Sequence, residues 1–340
     1  MVLFTLATLI PAALICGAAL WGGLWVWAAL AFITVLCAAM DRLVQGDAAR
    51  REPGAEFPAG DALSVTLAVL HLPTLGLVIW AVGGHGPLSG TDRVGLILGA
   101  ALFFGQITHP NAHELIHRPA RALRALGVMS YATLLMGHHA SAHRLVHHVH
   151  VATDQDPNSA PKGVGFWRFA PRAWIGSFRA GLAAERALRA KNNRKTQKLN
   201  PYIIYLLWAI TAFTLSFTLA NMTGILTLVI IVIYAQIQVL LADYVQHYGL
   251  RRARLDSGKY APVSAAHSWN SPHVFSSAMM LNAPRHSDHH MYPARHYPAL
   301  ELTPAMPVLP HSLPVMAVIA LVPPLWRRVM DPRLQALAKT

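Results

Sequence analysis

Charge is what this sequence has least of. Only 13% of its 340 residues are charged, and only 15 are acidic. A water-soluble domain of this length carries about a quarter charged residues, so lipid is expected to form part of the solvent. Cysteine is nearly missing too. Cys16 and Cys37 both sit inside apolar runs, which excludes a disulfide framework and any CxxC iron–sulfur or rubredoxin-type site. Electrons, if the chemistry needs them, must come from another protein or domain. No module of interleaved aromatic and basic residues suggests a nucleic-acid reader. Met1 to Leu20 lacks a basic n-region and is followed by a second apolar run, so it reads as half of a helical hairpin and not as a cleaved signal peptide.

What is present is apolar and basic. The chain is 54% hydrophobic with a mean hydropathy of +0.38 and a net charge of +13. A spanning helix needs about 20 apolar residues. Six segments approach that length: 2–20, 24–40, 62–82, 94–110, 202–220 and 224–244. They pair as three hairpins. Lys and Arg concentrate in particular connections. Arg42, Arg50 and Arg51 fall between the second and third segments, and 14 Lys or Arg against 4 Asp or Glu fall in 111–201. Basic loops stay on the cytoplasmic side. The expected fold is therefore all-α. It is a single membrane domain, a six-transmembrane-helix bundle whose termini and large parts 111–201 and 245–340 form a cytoplasmic helical cap. The tail from Leu302 to Trp326 is apolar but rich in proline, which argues against a regular spanning helix and for an interfacial or re-entrant segment.

Nineteen histidines stand out, and they cluster. His109, His113 and His117 close the fourth apolar segment. Six lie in 138–150, His247 follows the sixth segment, and His286, His289 and His290 form the last group. All fall on the predicted cytoplasmic side. Residues four apart share a helix face, so His113 with His117 fits one metal. His143 with His147 fits one metal likewise, with His148 left for a second, and His286 pairs with both His289 and His290. Spacing alone leaves the trios His109/His113/His117 and His139/His143/His147 open. His138, His150 and His273 read as neighbours, and His71 as a core residue. Imidazole suits iron, zinc, copper and nickel. Carboxylates that orient such ligands are at hand: Glu114, Asp154, Asp156, Asp243 and Asp288, of which Glu114, Asp243 and Asp288 are the leading candidates. His113–His117 (HELIH) taken alone is a zinc-protease pattern, but it gives the other clusters no role. A metal transporter would hold its ligands at mid-bilayer, and these stand at helix ends.

Four motifs carry a resemblance. HELIH at 113–117, HRLVHH at 143–148, DYVQHYGL at 243–250 and RHSDHHMYP at 285–293 are similar to the histidine motifs of the membrane alkane monooxygenases. These belong to the fatty-acid-desaturase-like di-iron proteins, which include xylene monooxygenase. VATDQDPNS at 151–159 and HSWNS at 267–271 extend the likeness, which runs from Thr108 to Leu300. The chain departs from the usual pattern at Ile116 and Arg118, at Ala142, Arg144, Leu145 and Val146, at Asp243 and Gln246, and at Pro284. No histidine is lost.

The resemblance implies six membrane helices and two non-haem iron ions held by His113, His117, His143, His147, His148, His247, His286, His289 and His290. It implies O2-dependent hydroxylation of a hydrophobic hydrocarbon to an alcohol, with lipid desaturation or alkyl-aromatic oxidation as the alternatives. The electrons would come from NAD(P)H through a reductase and a rubredoxin or ferredoxin, in the inner membrane. Arg118, Arg121, Arg124 and Arg144 are candidates for the surface where an acidic donor docks. Trp21, Trp25 and Trp27 read as an interfacial aromatic belt.

Overall fold

A computed structural model describes residues 1–44, 57–191 and 199–337. Arg50 and Arg51, part of the charge asymmetry above, lie outside the described residues. Within them the chain is helical, and its only β pairing is two isolated bridges, Arg254 with Tyr260 and Asn270 with Val308.

Among the described residues, four helices are long and apolar enough to cross a membrane: α1 (Val2–Trp21), α2 (Leu24–Leu43), α3 (Pro58–His85) and a 47-residue helix that ends at His247, Pro201–His247. Between α3 and that helix lie α4 (90–116), α5 (Arg121–Thr133), α6 (138–150) and α7 (Phe166–Lys191). The 47-residue helix is then α8. Gly22 and Gly23 turn α1 into α2, both with positive φ that glycine accepts without strain. Forty-seven residues would extend about 70 Å at 1.5 Å each, over twice the ~30 Å hydrocarbon core. The backbone leaves the helical region at Ala220 and Asn221 (φ 48°, ψ −138°). The chain reverses there, since Gly224 lies directly against the Ser216 carbonyl. α4 is continuous over the fourth predicted segment, but it carries Gln106, His109 and Asn111 and is not among the four apolar helices.

Two buried apolar clusters divide the bundle. One joins α1 to α4 with the middle of α8, and the other packs α5, α7 and both ends of α8 around Tyr131, Tyr244 and Trp326. Trp21, Trp25 and Trp27 point outward, exposed by 61%, 43% and 52%, as belt residues do. After α8 come two short helices, α9 (Val274–Met279) and α10 (His286–Met291). The proline-rich tail then forms α11 (Leu313–Ala320) and α12 (Pro323–Leu337). Pro314 and Pro323 sit in first turns, where no backbone N–H is needed. α11, only eight residues long, packs on α8. α12 places Trp326 against Tyr244 and Tyr248.

Candidate metal centre

Two stretches of π-helix set the site. One, Phe104–Thr108, lies in α4 just before HELIH, and the other, His143–His147, lies in α6. A π turn bonds i to i+5, so it aligns residues five apart in place of four. His143 and His148 therefore face the same way, their Nε2 atoms 2.9 Å apart. This corrects the expected pairing of His143 with His147. The structure sends His147 to the opposite side.

The nine histidines converge on two groups of ring nitrogens. His113, His117, His143, His148 and His289 form one, and His147, His247, His286 and His290 form the other. Within each, the candidate ligand atoms all lie within 4.8 Å of one another. Closest approaches of Nε2 atoms are 2.8 Å for His113 and His143, 3.0 Å for His148 and His289, 3.0 Å for His247 and His286, and 3.1 Å for His286 and His290. Two nitrogens held at right angles ~2.1 Å from one ion stand about 3 Å apart, so these separations suit ligation. His286 shares its group with His290 but not with His289, another correction to the spacing. His289 turns to the first group because α10 is a single short helix wedged between the two sets. The groups abut, with the rings of His148 and His290 4.6 Å apart.

Electrostatics agree with cation binding. Burial, followed by repulsion from His147 and Arg118, holds His113 down to about 3. Burial and neighbouring imidazoles likewise hold His117, His143, His148, His286, His289 and His290 well below 6.5. These rings are neutral at physiological pH, the form that binds metal. The Nε2 atoms of His117 and His147 are buried and have no protein partner. Two clusters of largely neutral nitrogens with such orphans fit metal ions.

Around this core, Asp156 is the carboxylate that touches a candidate ligand. It accepts from His147 Nδ1 at 2.8 Å, from Ser159 Oγ at 2.6 Å and from the Asn158 amide at 3.1 Å. Burial lowers the His147 pKa, but Asp156 outweighs it and the net shift is upward. Asn158 in turn donates to Asp243 at 2.5 Å. The favoured carboxylates Glu114, Asp243 and Asp288 stand farther out. Glu114 pairs with Arg118 at 3.3 Å and accepts from the Tyr297 amide at 3.3 Å. Burial outweighs Arg118 and raises Glu114 to about 7. Asp288 pairs with Arg295 at 2.6 Å. Arg118 is 1% exposed and also donates to the Arg295 carbonyl. It is therefore an internal strut and cannot belong to a docking surface, whereas Arg121 and Arg144 are exposed.

Missing from the sequence reading was Asn270. Its side chain accepts from the Ser287 amide and donates to Ser287 Oγ, which anchors the first turn of α10. HSWNS carried the signal, as a matched motif without a histidine ligand. His109 and His139 lie outside both groups. His109 stacks on Tyr131, His139 stacks on His143, and His138 packs on Trp174. His273 bonds Ser271, His71 bonds Thr133 inside the bundle, and His150 is half-buried.

Beside the histidines lies a cavity of about 580 Å³. Cys37, Leu102, Ile237, Leu241, Val318 and Leu321 supply apolar wall, and His113, His143 and His286 border it.

A family model described as fatty acid desaturase matches residues 93–318. Alkane 1-monooxygenase 2 of Pseudomonas aeruginosa is 32% identical over 323 residues, 92% of this chain and 85% of that one. Alkane 1-monooxygenase 2 of Alcanivorax borkumensis is 27% identical, over 92% of this chain and 83% of its own. The hydroxylase component of a xylene/toluene monooxygenase from Pseudomonas putida is 29% identical over 94% and 85%. The matched region contains every histidine of the two groups, and relatives cover nearly the full length. The chain belongs to the fatty acid desaturase family, in its alkane 1-monooxygenase branch.

Proposed function

We propose that the chain hydroxylates hydrophobic hydrocarbons with O2 at a non-haem di-iron centre, one ion held by each histidine group. The observation that carries this is the apolar cavity bordered by His113, His143 and His286. Its volume lies within the range of small-molecule sites. Its walls suit a ligand without charge. When bound, the iron pair supplies the activation of O2 that an unactivated C–H bond requires. The cavity walls exclude water and point one end of the substrate at the histidines. Asp156 fixes the tautomer and tilt of His147. One oxygen atom enters the substrate as an alcohol and the other leaves as water.

The remaining parts follow from the loop charges and from the absence of a CxxC site. Six membrane passes, with the termini and the parts 111–201 and 245–340 on the cytoplasmic side of the inner membrane, bring the site within reach of a soluble donor. Arg121 and Arg144, both exposed, suit an acidic rubredoxin or ferredoxin fed by its NAD(P)H-dependent reductase. Glu114 is held by Arg118 and the Tyr297 amide, which removes it from the general-base role of a HELIH protease.

The test is metal content and product analysis on the purified chain with a reductase system, offered n-octane and p-xylene. Two irons per chain and a terminal alcohol are expected. A two-iron protein that oxidises neither compound, or one zinc per chain, overturns the reading. A double bond in the product assigns the chain to desaturation.

A further inference from the structure

Two glutamines interrupt the apolar wall of the cavity, and neither serves the chemistry described above. Gln106 lies in the π-helical turn of α4 and Gln238 in α8; both line the cavity. Gln238 reaches across to α4, where its Nε2 donates to the Ala101 carbonyl at 2.9 Å and stands 3.4 Å from that of Tyr234. Gly105 makes this approach possible, because a Cβ there would overlap the Gln238 amide. The donor end of Gln238 is thus engaged by backbone. Its Oε1 is buried without a partner, and so is Oε1 of Gln106.

Two unmet acceptors in a hydrocarbon wall are unfavourable and mark a functional site. A group that satisfies either of them must donate a hydrogen bond, and in a cavity this apolar it must be uncharged. A hydroxyl meets both conditions. Gln106 precedes His113 by seven residues and Gln238 precedes His247 by nine. At 1.5 Å per residue these are offsets of about 10 and 13 Å along the helices, the span of a medium-length carbon chain.

We propose that Gln106 and Gln238 form a hydroxyl-binding subsite, and that the chain takes hydrocarbons already oxygenated at one end. The alcohol group of a primary alkanol donates its single proton to one of the two glutamine oxygens, and its far methyl reaches the histidine groups. This rests on the hydroxylase reading for its chemistry. One terminal C–H bond is broken and one C–O bond forms, giving an α,ω-diol. The second oxygen atom of O2 leaves as water, with two protons and with two electrons from the NAD(P)H-fed donor.

The test uses the metal-loaded full chain in nanodiscs. Without reductant, 1-decanol and n-decane compete against a fluorescent apolar probe, each corrected for partitioning into lipid. One hydrogen bond to the subsite predicts about tenfold tighter binding of 1-decanol. In the Q106L/Q238L double variant the ratio of the two affinities falls to about one, and a helical circular dichroism spectrum like that of wild type shows that the variant folds. Should Q238L disturb the contact of α4 with α8, Q106L alone is expected to reduce the preference. With reductant, the wild type converts 1-decanol to 1,10-decanediol, and in the double variant the ratio of diol formation to n-decane oxidation falls. Equal affinities in the wild type overturn the proposal, as does a preference that survives the double substitution. Preference without diol formation overturns the assigned orientation. If the preference holds but neither n-decane nor 1-decanol is oxidised, the hydroxylase reading fails and the subsite stands.

Discussion

At the residue scale, Asp156 is the most informative side chain outside the histidines. Orienting carboxylates of this kind typically contribute 10- to 100-fold to metal affinity. Asp156→Asn is expected to release metal to a chelator at a correspondingly lower concentration. Competition with a coloured chelator reads this, and an unchanged metal affinity would refute the role. Arg118 and Glu114 make a second prediction. Both are buried, so Arg118→Met alone strands a carboxylate and should cost about 3–5 kcal/mol in chemical unfolding. The double change Arg118→Met with Glu114→Gln should recover most of it. The histidines were legible in sequence because few other side chains serve as neutral ligands in such number. Their division between two groups was not. His143 and His147 look paired at a spacing of four, and only the π turn separates them. The burial of Arg118 was hidden for a related reason. A cationic residue in a basic stretch reads as surface, and its partner Glu114 belongs to a motif with a better-known role.

At the scale of elements, hydropathy pointed to the four helices long and apolar enough to cross a membrane among the described residues, because long apolar runs have few other uses. The local reversals depend on backbone detail. Asn221 is held at φ 48° and ψ −138°, a region that only glycine occupies without strain. Asn221→Gly is expected to raise the thermal midpoint, and Asn221→Val to lower it by more. A Val variant as stable as wild type would show that α8 bends elsewhere. Motifs without histidine have a structural meaning at this scale. VATDQDPNS supplies Asp156, Asn158 and Ser159 behind α6, and HSWNS supplies Asn270 behind α10. α6 and α10 are thus each backed by one loop whose hydrogen bonds fix the helix's angle.

Over the whole molecule, the neutral imidazoles make stability depend on pH. Their folded pKa values lie below the 6.5 of an exposed histidine. The unfolded chain therefore binds more protons as pH falls through 6.5, and unfolding gains. Metal-stripped protein should lose thermal stability steadily from pH 7 to pH 5 and keep it above pH 7. The His147–Asp156 pair works the other way for its own contribution. His147 is raised and Asp156 lowered, so the pair stabilises between the two ordinary values and loses strength as His147 deprotonates at higher pH. With several depressed rings against one raised, the fall toward acid dominates. Scanning calorimetry in detergent across that range is the check, and a flat profile would mean that the rings are charged in the folded state.

One peptide bond separates the two histidine groups, since His147 belongs to one and His148 to the other. Whatever orders one ring sets the backbone from which the next one projects. α10 repeats this arrangement, with His289 on one side and His290 on the other. Filling the first position therefore completes the scaffolding of the second. Anaerobic titration with ferrous ion should be sigmoidal, with a Hill coefficient above one and little singly loaded protein at half saturation.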